Sequence, residues 1–287
     1  MADIKIFKIE TPLIKLDGGA LFGVIPKWMW KNKYPSDENN LCTCATRSLL
    51  IDEGDRIVLI DAGVGTKHDK DELIYDFDGA DNDLEINLQK NGYKPEDITD
   101  VILTHLHYDH CGGALKYNEN KTKLLFSFPN ANYHISKLQW KNALSPNYRE
   151  RASYKPENIE LLIGSKKLNL IENNKRLTKN IEIKIFNGHT QGLLVPIINY
   201  KNREIAFAGD LIPILALIPL AWISAFDVRP LEVIEEKEDF LNESYEKNRI
   251  IVFQHDYYNE CCDLKKTPKG IRANNVFKLE TIIKNDN

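Results

Sequence analysis

An α/β fold is the class this sequence predicts, on three observations. Short apolar runs separated by turn residues recur along the chain and read as strands. Stretches at Leu84–Lys90, Ser136–Ala143 and Pro230–Lys247 read as helices set among them. Two segments also resemble each other, DRIVLIDAG (Asp55–Gly63) and REIAFAGD (Arg203–Asp210), each a charged turn, an apolar strand, then Gly with Asp nearby. Their likeness suggests two related half-sandwiches in one domain of residues 1–287, a length that can bury a sizeable core.

Element by element, Ile4–Ile9 alternates as a half-buried strand does. Thr46–Ile51 and Arg56–Ile60 are short apolar runs joined by a hairpin turn at Glu53-Gly54-Asp55. Beyond Asp61-Ala62-Gly63 the texture turns acidic and irregular, until a helix at Leu84–Lys90 that Gly92 ends, with Pro95 starting another short one. Asp100–Thr104 (DVILT) is a buried strand running straight into a cluster of histidines. Tyr117–Lys179 is mixed and rich in Lys and Asn, with a helix around Ser136–Ala143. Strands return at Ile181–Phe186, Leu193–Asn199 and Arg203–Ala208. The late helix Pro230–Lys247 precedes a strand, Arg249–Phe253, that ends in another histidine.

Composition narrows the function classes. Apolar residues are 43% and charged residues 28%, an ordinary balance for a soluble globular protein. Against 42 acidic residues stand 38 basic ones, and a net charge of −4 removes the simplest electrostatic case for nucleic-acid binding. Five cysteines (Cys42, Cys44, Cys111, Cys261, Cys262) are an odd number in a long chain, which reads as a reducing compartment rather than a disulfide scaffold. Met1–Leu16 lacks the continuous apolar core of a signal peptide. Leu211–Phe226 is only 16 residues, interrupted by Pro213 and Pro219, and too short for a membrane span. The expectation is a cytoplasmic protein with no nucleic-acid or membrane partner.

The chemistry concentrates in His105-Leu106-His107-Tyr108-Asp109-His110, directly before Cys111-Gly112-Gly113. Side chains two apart on extended backbone share a face, so His105 and His107 can grip one ion. Asp109 and His110 sit where the chain turns and can aim at a second. Gly112 and Gly113 let the backbone pass close to the site and begin a helix. Imidazole with carboxylate suits zinc and related divalent metals. Only seven histidines occur in 287 residues, so three within six positions is a strong signal. His189, Asp210 and His255 each end an apolar strand, where side chains from separate strands converge on one edge of a sheet. His68 and His134 read as ordinary surface or half-buried residues.

This pattern resembles the metallo-β-lactamase superfamily, whose HxHxDH motif is followed by a later His, Asp and His in the same order. The resemblance covers nearly the whole chain and implies a four-layer αββα sandwich holding two divalent ions, Zn2+ or, on the same ligands, Mn2+, Co2+ or Fe2+. By that likeness His105, His107 and His189 hold the first ion, Asp109, His110 and His255 the second, and Asp210 bridges both. Asp61 matches the family's early strand–Asp–x–Gly element and supports the ligands from behind. The ions would share a water, lower its pKa and polarise the substrate's oxygen, with Asp109 as the catalytic group that takes the proton. Cys111 reads as a small buried residue beside the ligands.

Within the superfamily, His107 rather than Glu speaks against the diiron flavoprotein branch, and a bridging Asp210 departs from true β-lactamases. No basic stripe of the nuclease branches is present. The basic cluster Lys265, Lys266, Lys269 and Arg272 keeps a glyoxalase-II-like thioesterase in play. The layout looks most like the quorum-quenching lactonase and organophosphate-hydrolase branch, although Ile212 stands where such lactonases commonly carry a Tyr after the bridging Asp. The expected activity is hydrolysis of a small ester-like bond, foremost a lactone such as an acyl-homoserine lactone. Organophosphate or aryl-ester hydrolysis is the alternative, ahead of a nuclease or a non-catalytic binding protein. Phe22, Trp28, Ile212, Trp222 and Tyr257 are the candidate substrate-pocket residues. The N-terminal extension, about residues 12–45, serves as a lid or a dimer contact, with a homodimer as the expected assembly.

Overall fold

A computed structural model describes residues 4–67 and 83–284. The acidic stretch after Gly63, from 68 on, and with it His68, lies outside the described residues. The chain divides into two compact units, Met1–Ile14 with Ala45–Asn173, and Lys15–Cys44 with Asn174–Asn287. Each unit is built on one large sheet.

The first unit's sheet holds β1 (Lys5–Ile9), β2 (Ser48–Asp52), β3 (Ile57–Ile60), β4 (Asp100–Ile102), β5 (Asn132–Ser136) and β6 (Leu168–Ile171), in that spatial order. The pairs β1–β2 and β2–β3 are antiparallel. From β3 through β6 the strands run parallel. Parallel interior strands are covered on both faces and need continuous apolar sequence, which explains why Val58, Leu59 and Ile60 are all fully buried. Leu50, Leu59, Val101 and Tyr133 pack with Leu84 and Leu88 of helix Leu84–Lys90. Burying each such side chain contributes about 1.5–3 kcal/mol. The helix begins where expected because Asp83 accepts from the backbone of Glu85 and Ile86. Ser136 likewise caps helix Lys137–Leu144 through Gln139 N.

The second unit's sheet holds β7 (Lys175–Arg176), β8 (Ile181–Phe186), β9 (Leu193–Tyr200), β10 (Arg203–Phe207), β11 (Ile250–Val252), β12 (Cys261–Thr267) and β13 (Gly270–Phe277). All neighbours are antiparallel except the parallel pair β10–β11. Pro196, which has no N–H to give, falls just outside the stretch Ile197–Tyr200 that pairs with β10. Phe240 and Leu241 of helix Pro230–Glu246 pack on Val195, Ile197, Ala206 and Ile251. Strands β5, β6, β12 and β13 do not stand out in the sequence, because polar and charged residues interrupt their alternation.

The two similar segments occupy matching places in the two sheets. β3 lies between an antiparallel partner, β2, and a parallel one, β4; β10 lies likewise between β9 and β11. In each unit the middle strand runs into an Asp (Asp61, Asp210), and the parallel neighbour into a His (His105, His255).

Two expectations need correction. The helix expected to begin at Gly112 and Gly113 is only a 3-10 turn, Gly112–Ala114, after one α-turn, Tyr108–Cys111. The close backbone approach expected of these glycines is present: a Cβ at Gly112 would stand 1.9 Å from the Val64 carbonyl oxygen, and one at Gly113 2.2 Å from that of Ala62. His134 is not a surface residue. It is 6% exposed, with Nε2 2.7 Å from Asp100 Oδ1. Arg56 Nε (2.9 Å) and the Thr99 hydroxyl (2.7 Å) also donate to Asp100. Burial alone would raise the Asp100 carboxyl, but the hydrogen bonds from His134, Arg56 and Thr99 hold it well below the usual carboxylate range.

Gly112→Ala is expected to destabilise the protein by about 3 kcal/mol or more, read by urea unfolding, because the atoms its Cβ would meet are all Val64 backbone. For Asp100, a lowered native pKa means a contribution fully present above about pH 4, the unfolded value, and lost as pH falls further. Asp100→Asn should cost about 1–3 kcal/mol at pH 7 and flatten the stability loss below pH 4 in acid titration of the unfolding midpoint.

Candidate metal centre

In the first unit the ligand-bearing loop grows out of β4 and is held by one carboxylate from the end of β3. Asp61 is fully buried, with φ at 58°, a left-handed conformation that Asp tolerates better than most residues. Its N–H donates to Ile102 O (2.8 Å). Oδ1 accepts from Thr104 N and Oδ2 from the Thr104 hydroxyl, both at 2.7 Å. Oδ2 also lies 3.0 Å from His110 Nδ1. A carboxylate only accepts, so Nδ1 of His110 carries the hydrogen and Nε2 keeps its lone pair. The Thr104 hydroxyl spends its hydrogen on Asp61, which leaves its oxygen to accept from His105 Nδ1 at 3.2 Å. His105 therefore also presents Nε2 as a lone pair.

That Nε2 lies 3.0 Å from His107 Nδ1, and His110 Nε2 lies 3.7 Å from Asp109 Oδ2. Ligand atoms of a tetrahedral zinc, with bonds of about 2.0–2.1 Å, stand roughly 3.3 Å apart. His105, His107, Asp109 and His110 are all buried, at 8% exposure or less. Cys111 is buried as well, and its thiol donates to Leu106 O (3.4 Å). Burial pushes that thiol up to about 12, so at neutral pH it is a small packed group, as the sequence suggests.

In the second unit three loops carry the candidate ligands. His189 follows β8 by three residues, and the loop is tied down where the Glu236 carboxylate accepts from Asn187 N (2.6 Å) and Gly188 N (2.9 Å). Burial raises the Glu236 carboxyl. Asp210 follows β10 in a 3-10 turn, Gly209–Leu211. His255 follows β11, its N–H donating to Pro213 O (3.0 Å) and its carbonyl accepting from the Tyr34 hydroxyl (3.2 Å). Asp227 Oδ1 lies 2.9 Å from His189 Nδ1, so Nδ1 carries the hydrogen and Nε2 of His189 the lone pair. That nitrogen faces Asp210 Oδ2 at 3.1 Å, while His255 Nε2 faces the other oxygen, Oδ1, at 3.0 Å. With its hydrogen on Nδ1, a neutral His189 meets Asp210 Oδ2 acceptor to acceptor, a contact that a cation between them satisfies. The donor set therefore fits a bound divalent metal.

Sequence reasoning missed Asp227 and Thr104. Asp227 has one weak signal, a lone acid closing the apolar run Leu211–Phe226. The candidate pocket residues are spread over several environments. Phe22 is buried, stacked on Trp30 (4.7 Å between centroids) and edge-on to Trp222 at 6.2 Å. Trp28 is 72% exposed, Tyr257 is exposed against Tyr258, and Ile212 is buried in the core of its unit.

A family model for the metallo-beta-lactamase superfamily matches residues 43–255, and the chain belongs to that superfamily. Its fold is the metallo-β-lactamase fold. The solved structure of a probable metal-dependent hydrolase from Staphylococcus aureus is 26% identical, with a TM-score of 0.85 over 96% of this chain and 98% of that one. AidC, a dizinc quorum-quenching lactonase solved with the product N-hexanoyl-L-homoserine, is 22% identical, with a TM-score of 0.75 over 96% and 95% of the two chains. An N-acyl homoserine lactonase of Bacillus cereus is 30% identical over 101 residues, 29% of this chain. The matches span only 34% to 40% of the length of the curated relatives.

Asp227→Ala is expected to weaken zinc binding about 10–100-fold in chelator competition while circular dichroism stays unchanged, because the ligand His189 loses the partner that fixes its tautomer.

Proposed function

We propose that the chain is a metal-dependent hydrolase in which His105, His107 and His189 hold one divalent ion, Asp109, His110 and His255 a second, with Asp210 shared by both. The observation that carries this reading is the Asp210 carboxylate, whose two oxygens each face a different imidazole nitrogen, at 3.1 and 3.0 Å. A shared carboxylate is the arrangement that two close cations require. Imidazole with carboxylate favours zinc. The buried, disulfide-free cysteines fit a reducing, cytoplasmic setting. Among the described residues no helix is long and apolar enough to cross a membrane.

Two such ions supply Lewis acidity, acidifying a water and polarising the substrate's oxygen. The protein's own residues do the rest. Asp61 and Asp227 fix which imidazole nitrogens face the ions. Asp109 takes the proton of the attacking water and returns it to the leaving alkoxide. For substrate we favour a lactone such as an acyl-homoserine lactone, supported by the partial match to the Bacillus cereus lactonase and by a net charge that does not suit nucleic acid. A phosphotriester is the second reading, favoured by the buried, apolar Ile212, which offers no hydroxyl to a lactone carbonyl.

Metal analysis of the purified protein should give about two zinc-type ions per chain. The loaded enzyme should open acyl-homoserine lactones faster than it cleaves paraoxon-like esters or glutathione thioesters. Asp210→Asn and His105→Ala should each lower turnover by about a thousandfold or more with the fold intact. A protein that binds no metal, or variants that turn over like the wild type, would contradict the assignment.

A further inference from the structure

Behind His107 lies a buried polar cluster that the hydrolase reading does not use. Glu150 is 5% exposed, in the turn that follows helix Lys137–Leu144. Its Oε1 accepts from Asn142 Nδ2 (2.8 Å) and Asn147 Nδ2 (2.6 Å), and Asn147 Oδ1 in turn accepts from Glu150 N (3.2 Å). Oε2 lies 3.5 Å from His107 Nε2, at ion-pair distance. The Tyr154 ring stands edge-on to the His107 ring, centroids 5.0 Å apart, and its hydroxyl is anchored on Gln139 Oε1 (2.8 Å). Gln139 is fully buried, so the ring has little freedom.

We propose that Glu150 is the positioning residue for His107: it holds the imidazole by Nε2, so that Nδ1 is the nitrogen offered to the metal. This rests on His107 being a ligand, as in the reading above. The two asparagine amides on Oε1 and the Tyr154 hydroxyl, 3.3 Å from Oε2, are neutral donors, and a carboxylate is costly to hold away from water. An imidazole N–H is the stronger partner, and it becomes stronger still once the ring's other nitrogen gives its lone pair to a cation. The orientation agrees, since Nδ1 is the atom 3.0 Å from His105 Nε2. Three of the proposed ligands thereby acquire a carboxylate on the nitrogen that faces away from the metal: Asp61 behind His110, Asp227 behind His189 and Glu150 behind His107.

The test compares wild type, Glu150→Ala and Glu150→Gln by nitrogen-15 NMR of the histidine rings and by zinc chelator competition. In wild type, His107 should carry its hydrogen on Nε2, with or without zinc. Glu150→Ala should mix the two tautomers and weaken zinc binding about tenfold or more. Glu150→Gln keeps the shape of the side chain, so it tests the charge should the alanine variant fail to fold; it should weaken zinc binding about tenfold. An unchanged His107 tautomer with unchanged zinc affinity in the folded variants would overturn the proposal. Because the tautomer is read in the metal-free protein too, a wild type that binds no zinc would sink the hydrolase reading while Glu150's hold on His107 is still decided.

Discussion

The first unit's site depends on a single buried carboxylate. Asp61 cannot donate, so each polar hydrogen pointed at it determines what the donor's remaining lone pairs can do. Through the Thr104 hydroxyl it reaches His105, and directly it reaches His110. Both rings are left with the lone pair on Nε2. The left-handed backbone of Asp61 and the close glycine packing of Gly112 and Gly113 against Ala62 and Val64 serve the same end, since they bring the end of β3 against the ligand-bearing turn. Asp227 plays the corresponding part for His189 in the second unit.

Burial makes this arrangement a chemical statement. The lone-pair nitrogen of an imidazole and a carboxylate oxygen are costly to bury face to face unless a cation sits between them. In the second unit the Asp210 oxygens are divided between two imidazoles, and His189 meets a carboxylate at each nitrogen, so a neutral ring can donate to only one of them. In each unit the ligands sit on loops that leave strand ends, so rigid sheets fix the positions of side chains whose loops remain free to vary between relatives. The repeated order of antiparallel partner, middle strand and parallel neighbour places an Asp after the middle strand and a His after the neighbour in both sheets.

Much of this was legible in the sequence, for identifiable reasons. β3, β4 and β10 are short apolar runs that lead into Asp61, His105 and Gly209-Asp210, and their composition marks them. Helices Leu84–Lys90 and Lys137–Leu144 carry Asp83 and Ser136 as caps, so their starts fall within a residue of expectation. The histidine motif was visible because its residues are adjacent in the chain. Glu150 and Asp227 were not, because they lie 43 and 38 residues from the histidines they face and their spacing carries no period. His134 was misjudged for a related reason: its partner, Asp100, sits on a different strand, and only the register of β4 against β5 brings them together. β12 and β13 stayed hidden because lysine, arginine and asparagine hold positions that face solvent.

The shared role of Asp210 is tested most directly by anomalous diffraction at the zinc edge on crystals of the zinc-loaded protein. Two anomalous peaks are expected, one bonded to each oxygen of Asp210, with His189 beside one and His255 beside the other. A single peak, or two peaks that leave either Asp210 oxygen unbonded, would contradict it.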